Sequence, residues 1–282
     1  MVDTGLSTPT MITGYIMSVL TNLCDFAPHE NIAIIGSGGK TTTLWHVAEN
    51  FRHKRVLVTP TTKLFLPKPH FFDYLLSPEE FDALQTAQQG ISLAGQVIDM
   101  TRPQEGTIHK PKKRREVANP DTFTHKVLGI PQKTIQQKSS LFNMVIMECD
   151  GARNLPLKGW APYEPVIPEY ATTTLAIIPL WCLGVPATSA IIHRLDRFLP
   201  MAQCAEGAPL TLRHLAHVIA HPTGLMAQTP AKGRTILFLH LADQASLPLA
   251  QELYKLLPQE CLTRCERVIA GSAKEGWGQI LV

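Results

Sequence analysis

The chain has 282 residues, 45% of them hydrophobic, and 26 basic against 23 acidic side chains, enough to bury a large core in one or two domains. No apolar run approaches the roughly 20 residues of a membrane span, and the N-terminus lacks the basic, apolar and small-residue succession of a secretory signal. The six cysteines (Cys24, Cys149, Cys182, Cys204, Cys261 and Cys265) form no C-x-x-C pair, which argues against a zinc or disulfide framework and for a reducing cytoplasm.

In chain order, Met11–Cys24 reads as an amphipathic lead-in helix. The β-type run Ile32, Ala33, Ile34, Ile35 breaks at Gly36 and passes through Ser37, Gly38 and Gly39 to Lys40 and Thr41. After it, Leu44, Trp45, Val47, Ala48 and Phe51 recur at helical spacing. A strand, a glycine loop and a helix opening on Lys-Thr suit the phosphates of a nucleotide. The glycines let successive N–H groups converge on an anion, and the helix N-terminus adds partial positive charge. Lys40 is expected on the β- and γ-phosphates and the Thr41 hydroxyl on Mg2+, with Thr42 also on the phosphate side. The plainer reading is a glycine turn that only joins strand to helix. The loop is shorter than the full G-x-x-x-x-G-K-[ST] pattern, whose first glycine would fall on Ile34. It looks like the G-T-x-G-K-T-T loop of Mur-type ligases and folylpolyglutamate synthetases.

Arg55–Thr59 reads as a second strand, running into T-P-T-T-K at 59–63. Thr61, Thr62 and Lys63 then stand at the same sheet edge, either holding substrate or phosphate or forming an ordinary polar loop with a helix cap. Pro78–Gln88 reads as helix and Ile91–Val97 as strand. Between Arg102 and Arg115 six basic residues face one acid, Glu105, among prolines and Gly106. A basic surface insertion is expected at about 101–122. No aromatics are interleaved to stack on bases, so nucleic acid is not expected there.

Asn143–Met147 reads as a buried strand leading to Glu148, Cys149, Asp150 and Gly151. Two acids two residues apart point to one face while the strand stays extended. That suits one carboxylate on Mg2+ and the other orienting a nucleophile. Thr41 and Asp150 are expected on the metal and Glu148 on the nucleophile, with Glu148 also in the candidate metal set. Leu175–Pro179, Thr235–Leu239 and Val268–Ala270 read as strands, Leu210–Ala220 and Leu247–Leu257 as helices. This alternation implies one doubly wound α/β domain over residues 1–282, with a mostly parallel, phosphate-loop NTPase-like sheet binding its ligand at the strand carboxyl ends. After the strand at 235–239, Asp243 stands where guanine-binding proteins place the Asp of N-K-x-D, without the Asn and Lys. It suggests a base pocket with Ser272, leaving ATP and GTP both open.

G-S-G-G-K-T-T-T at 36–43, T-P-T-T-K at 59–63, K-V-L-G-I at 126–130, E-C-D-G-A-R-N-L-P-L-K-G-W-A-P-Y-E-P-V-I-P at 148–168 and H-R at 193–194 occur in that order. Together they resemble the YqeC family of selenium-dependent hydroxylase accessory proteins, over about residues 30 to 200. The resemblance implies a phosphate-loop nucleotide-binding protein that helps mature molybdenum hydroxylases carrying a selenium-containing cofactor. Those hydroxylases or their cofactor-maturation proteins would be the partners. Within the proline-broken segment, Arg153 is expected on the γ-phosphate or an anionic substrate and Lys158 as a second positive charge. Glu164 either binds substrate or pairs with Lys158, and His193-Arg194 opens an amphipathic turn with a surface salt bridge. A Mur-like ligase or small-molecule kinase, and a non-catalytic nucleotide-responsive module, are the rival readings.

Overall fold

The computed structural model describes residues 11–12, 15–16, 18–100, 125–227, 229–230 and 232–282. The basic insertion expected at 101–122 lies outside them. Nine strands make the main sheet: β1 (Glu30–Gly36), β2 (Arg55–Pro60), β3 (Tyr74–Leu76), β4 (Gly90–Ala94), β5 (Met144–Glu148), β6 (Thr173–Pro179), β7 (Arg234–His240), β8 (Arg267–Ser272) and β9 (Trp277–Ile280). Their spatial order is β9-β8-β7-β6-β1-β5-β2-β4-β3. Every neighbouring pair is parallel except β8 with β9.

The central strands are buried on both faces and are apolar through their middles for that reason, while the edge strands β3 and β9 stay partly exposed. Side chains alternate between two cores. Ala33, Ile35, Val145, Met147, Ala176 and Ile178 join one cluster with Phe198, Leu215, Ile219 and Leu253. Ile32, Ile34, Met144, Ile146, Leu175 and Ile177 join the other with Leu44, Val47 and Ala48. The helices supplying those partners are α2 (Lys40–Asn50) on the second face and the helices Leu195–Ala202, Leu212–Ala220 and Leu247–Leu256 on the first. Each fully buried Ile or Leu contributes roughly 1.5–3 kcal/mol. No helix among the described residues is long and apolar enough to cross a membrane.

The order of the sheet positions the site. Strand β1 lies between β5 and β6, so the chain emerging at Gly36 has the end of β5 on one side and that of β6 on the other. The chain runs from β1 to β2 on one side, and the connection from β5 to β6 crosses β1 to the other; this reversal opens a crevice at the strand carboxyl ends.

Three boundaries differ from the sequence reading. The lead-in helix is confined to α1 (Val19–Cys24), which starts where Ser18 accepts from the Thr21 N–H; Met11–Ile12 and Tyr15–Ile16 pair as short antiparallel strands. The helix read at 78–88 ends at Ala83 after a Ser77–Glu80 capping box, because Leu84 is already extended. The single strand read at 91–97 breaks at Gly95, with φ at 153°, where a Cβ would lie 2.4 Å from the Leu128 carbonyl oxygen. The chain leaves the main sheet there for a second, three-stranded antiparallel sheet. In it Lys63–Phe65 and Gln96–Asp99 flank His125–Leu128.

Candidate active site

A cleft of about 600 Å3 opens at the carboxyl ends of β1, β2 and β5. Its floor is the glycine loop. Gly36, Gly38 and Gly39 all have positive φ, at 104°, 58° and 130°, a backbone that side chains disfavour. Space forbids them as well: a Cβ on Gly36 would sit 2.0 Å from the Ile177 carbonyl oxygen, and one on Gly39 2.4 Å from His240 Nδ1. His240, at the end of β7, lies 2.8 Å from the Gly38 carbonyl oxygen. A carbonyl only accepts, so Nδ1 carries the proton.

Lys40 and Thr41 open α2 directly above β1. The Thr41 hydroxyl donates to Glu148 at 2.9 Å, joining the helix start to the end of β5. Lys40 is only 5% exposed; its Nζ donates to the Gly36 carbonyl at 2.8 Å and lies 3.2 Å from Asp150. Burial works against its charge, but Asp150 and then Glu148 outweigh that and raise its pKa above the ordinary lysine value. Glu148 moves the other way for a carboxylate: burial raises its pKa, against the pull of Lys40 and the Thr41 hydroxyl. The Ser37 hydroxyl is buried in the loop without a hydrogen-bond partner among the described residues.

The alternation argument reaches only the first of the two acids. Strand β5 ends at Glu148, so period-two reasoning stops there. Asp150 is fully buried beneath the glycine loop. One of its oxygens accepts from the Gly36 N–H and Trp160 Nε1, both at 3.1 Å, and from Lys158 at 3.3 Å. It therefore braces the loop from below, while Glu148 is the acid beside Thr41. Lys158 also departs from its expected place. At 0% exposure it lies under the cleft and donates to the Gly151 carbonyl at 2.8 Å and to Glu164 at 2.9 Å.

Glu164, read from the sequence as either a substrate ligand or a partner of Lys158, pairs with Lys158 and holds this network's far end. Arg194 donates to both its oxygens, at 2.5 and 3.0 Å. Burial raises its pKa, yet hydrogen bonds from Arg194 and Lys158 outweigh that and pull it down to about 2. The surface salt bridge expected at His193-Arg194 is in fact this half-buried pair. The alternation of acids and bases at 148–164 was visible, but which pairs closed depended on strands Leu157–Lys158 and Ile192–His193 meeting in parallel.

Of the other predicted residues, Thr42, Thr61, Thr62, Lys63 and Arg153 line the cleft. Asp243 does not. It is exposed and caps the turn Gln244–Ser246, accepting from the Ser246 N–H at 2.9 Å. Residues that sequence reasoning left without a role also line the cleft, among them Lys126, Phe65, Asn154 and Trp181. Lys126 stood in the quoted K-V-L-G-I run; nothing in sequence placed that run opposite the glycine loop. Cys149 points into the core beside Asp150, and burial raises its thiol's pKa strongly.

The family described as "YqeC protein" matches residues 32–196. A relative from Escherichia coli (strain K12), named "Uncharacterized protein YqeC", is 28% identical over 233 residues, covering 81% of this chain and 82% of its own. No solved structure matches. The family match spans more than half of the chain, which therefore belongs to the YqeC family.

Proposed function

We propose that this YqeC-family chain binds a Mg2+–nucleoside triphosphate at the glycine loop and hydrolyses or transfers its terminal phosphoryl group. Its cellular role would be that of an accessory factor in maturing selenium-dependent molybdenum hydroxylases. One observation carries the nucleotide reading: Thr41, at the start of the helix behind a three-glycine loop, donates to Glu148 at the end of the adjacent strand. A helix-start hydroxyl beside a strand-end carboxylate is the pair of oxygen donors that Mg2+ takes when phosphates complete its shell. The phosphate-loop NTPase-like fold belongs to the same proposal, supported by a central β1 with an acid-bearing neighbour.

The roles follow from position. The amides of Gly38 and Gly39 and the N-terminus of α2 face the phosphates. Lys40 leaves Asp150 and the Gly36 carbonyl to meet the β- and γ-oxygens. Thr41 and Glu148 would hold Mg2+, which would supply positive charge to neutralise that developing on the phosphoryl oxygens. Asp150 keeps the loop in register through the Gly36 N–H. The hydroxylase-maturation role rests on the family resemblance alone.

The test is calorimetric titration with non-hydrolysable ATP and GTP analogues plus Mg2+, on the native chain and on Lys40→Ala, followed by phosphate release with and without a molybdenum hydroxylase. Saturable binding lost in the variant is expected, with turnover raised by the hydroxylase. No binding of either nucleotide overturns the reading. ADP or GDP formed only with a small acceptor would move it to the kinase or ligase class.

A further inference from the structure

The cleft has a second wall that the nucleotide reading leaves unused. Phe65 pairs with Lys126, and Lys63 with Leu128, in the antiparallel ladder of the small sheet. Directly opposed residues project to the same face, and these four line the cleft. Leu64 and Val127 between them are buried in the core. The sheet is therefore amphipathic, with a cationic face toward the cleft and an apolar face against the body. Arg153 completes the wall from a different segment, held with Asn154 in the left-handed region at φ 51° and 61°. Non-glycine residues held there cost free energy and cluster at ligand clamps and active sites.

These three cations differ from the others near the site. Lys40, Lys158 and Arg194 all have carboxylates within 3.5 Å. Among the described residues Lys63, Lys126 and Arg153 have none; Lys126 instead lies 4.2 Å from the centre of the Phe65 ring. Burial, followed by the charges of Lys63 and Arg153, depresses the pKa of Lys126, with Glu148 opposing. Among the described residues, the charge opposing these cations comes from Glu148, which already serves Thr41 and Lys40.

We infer that Lys63, Lys126 and Arg153 form a second anion subsite, separate from the glycine loop, that takes the phosphate or carboxylate group of a small second substrate. As an acceptor subsite it builds on the nucleotide reading, since the two walls face one cleft. As a binding site it stands without it. The glycine loop has its own cation and converging amides, whereas this wall takes Lys63 and Lys126 from a separate sheet and Arg153 from the segment after β5.

The experiment is calorimetric titration with phosphoglycolate, and with malonate as its carboxylate-only counterpart, in the absence and presence of a saturating Mg2+–nucleotide analogue. Phosphoglycolate is expected to bind in both conditions. The exposed-residue double change Lys63→Ala/Arg153→Ala, and Lys126→Met, which keeps the stem over Phe65, should each weaken it about tenfold or more, from loss of charge-assisted contacts. Both should leave analogue affinity within about twofold, and Lys40→Ala should do the reverse. Malonate binding with the same sensitivity would show that any oxyanion suffices; its failure where phosphoglycolate binds would select phosphate. If the analogue never binds but phosphoglycolate remains sensitive to the three cations, the subsite stands and the nucleotide reading falls. Phosphoglycolate displaced by the analogue, indifferent to the three changes, or not bound at ~10 mM (a free energy weaker than about 3 kcal/mol) would overturn the inference. So would loss of analogue affinity in the cation variants, which would assign these cations to the nucleotide's own phosphates.

Discussion

The cleft and the ionic network beneath it use the same residue types to opposite ends. Below, Lys158, Asp150, Glu164 and Arg194 satisfy one another within 3.3 Å, and Lys158 has no exposure at all. Above, Lys63, Lys126 and Arg153 face open space with no carboxylate in contact among the described residues. Paired buried charges are costly to break because each partner is left uncompensated; unpaired charges at a cleft wall are available to a ligand. Lys40 belongs to both regions, since it is paired with Asp150 now and stands where phosphates would draw it out. The difference teaches that a lysine's role here follows from the closure of the chain around it.

That division can be broken by substitution. Lys158→Ala should have the largest effect on stability, about 3–5 kcal/mol in denaturant unfolding, because Asp150 and Glu164 both lose a buried partner. If the variant unfolds normally but loses nucleotide affinity, Lys158 belongs to the ligand and the contrast fails. Lys40→Ala should cost about a hundredfold in analogue affinity, or 2.7 kcal/mol, while retaining a cooperative unfolding transition. Gly39→Ala places a Cβ against His240 at φ 130°. Strain of about 1–3 kcal/mol should appear as a lowered melting temperature together with lost analogue binding.

Acid should sharpen the same contrast. Glu164 keeps its charge in the fold down to about 2 against an ordinary 4.5. In the unfolded chain it takes up its proton first, so its contribution to stability is full above 4.5 and disappears as pH falls toward 2. Melting curves across that window should fall more steeply for the native chain than for Glu164→Gln. Glu148 has the opposite sign: its raised pKa favours the fold in acid and fades as pH rises through the folded value. Mg2+-dependent analogue binding should accordingly weaken on acidification before an ordinary carboxylate would titrate, and Glu148→Gln should remove that dependence. The smallest effect is expected from Asp243→Ala, about 1 kcal/mol for the lost cap with base preference unchanged. A switch in ATP-over-GTP selectivity would restore the base pocket expected there.

Much of the scaffold was legible because its signals are local. Apolar runs bounded by glycines and prolines marked β1, β2 and β5 through β8 within a residue or two, and the glycine loop announced its own turn through residues that must adopt positive φ. Short elements were not legible. The strand pair at 63–65 and 125–128 owes its existence to partners 61 to 65 residues away, and the break at Gly95 to the Leu128 carbonyl it must clear. Sequence alone therefore determined an alternating α/β chain with a glycine loop, Lys40 and Thr41 at a helix start, and acids at a strand end, since each depends on neighbours within a few residues. Tertiary structure alone decided that Glu148 rather than Asp150 meets Thr41, that Lys158 is sealed while Lys126 is open, and that a second sheet faces the loop. Those outcomes depend on which distant segments close against each other, and burial is what separates one charge from another of the same kind.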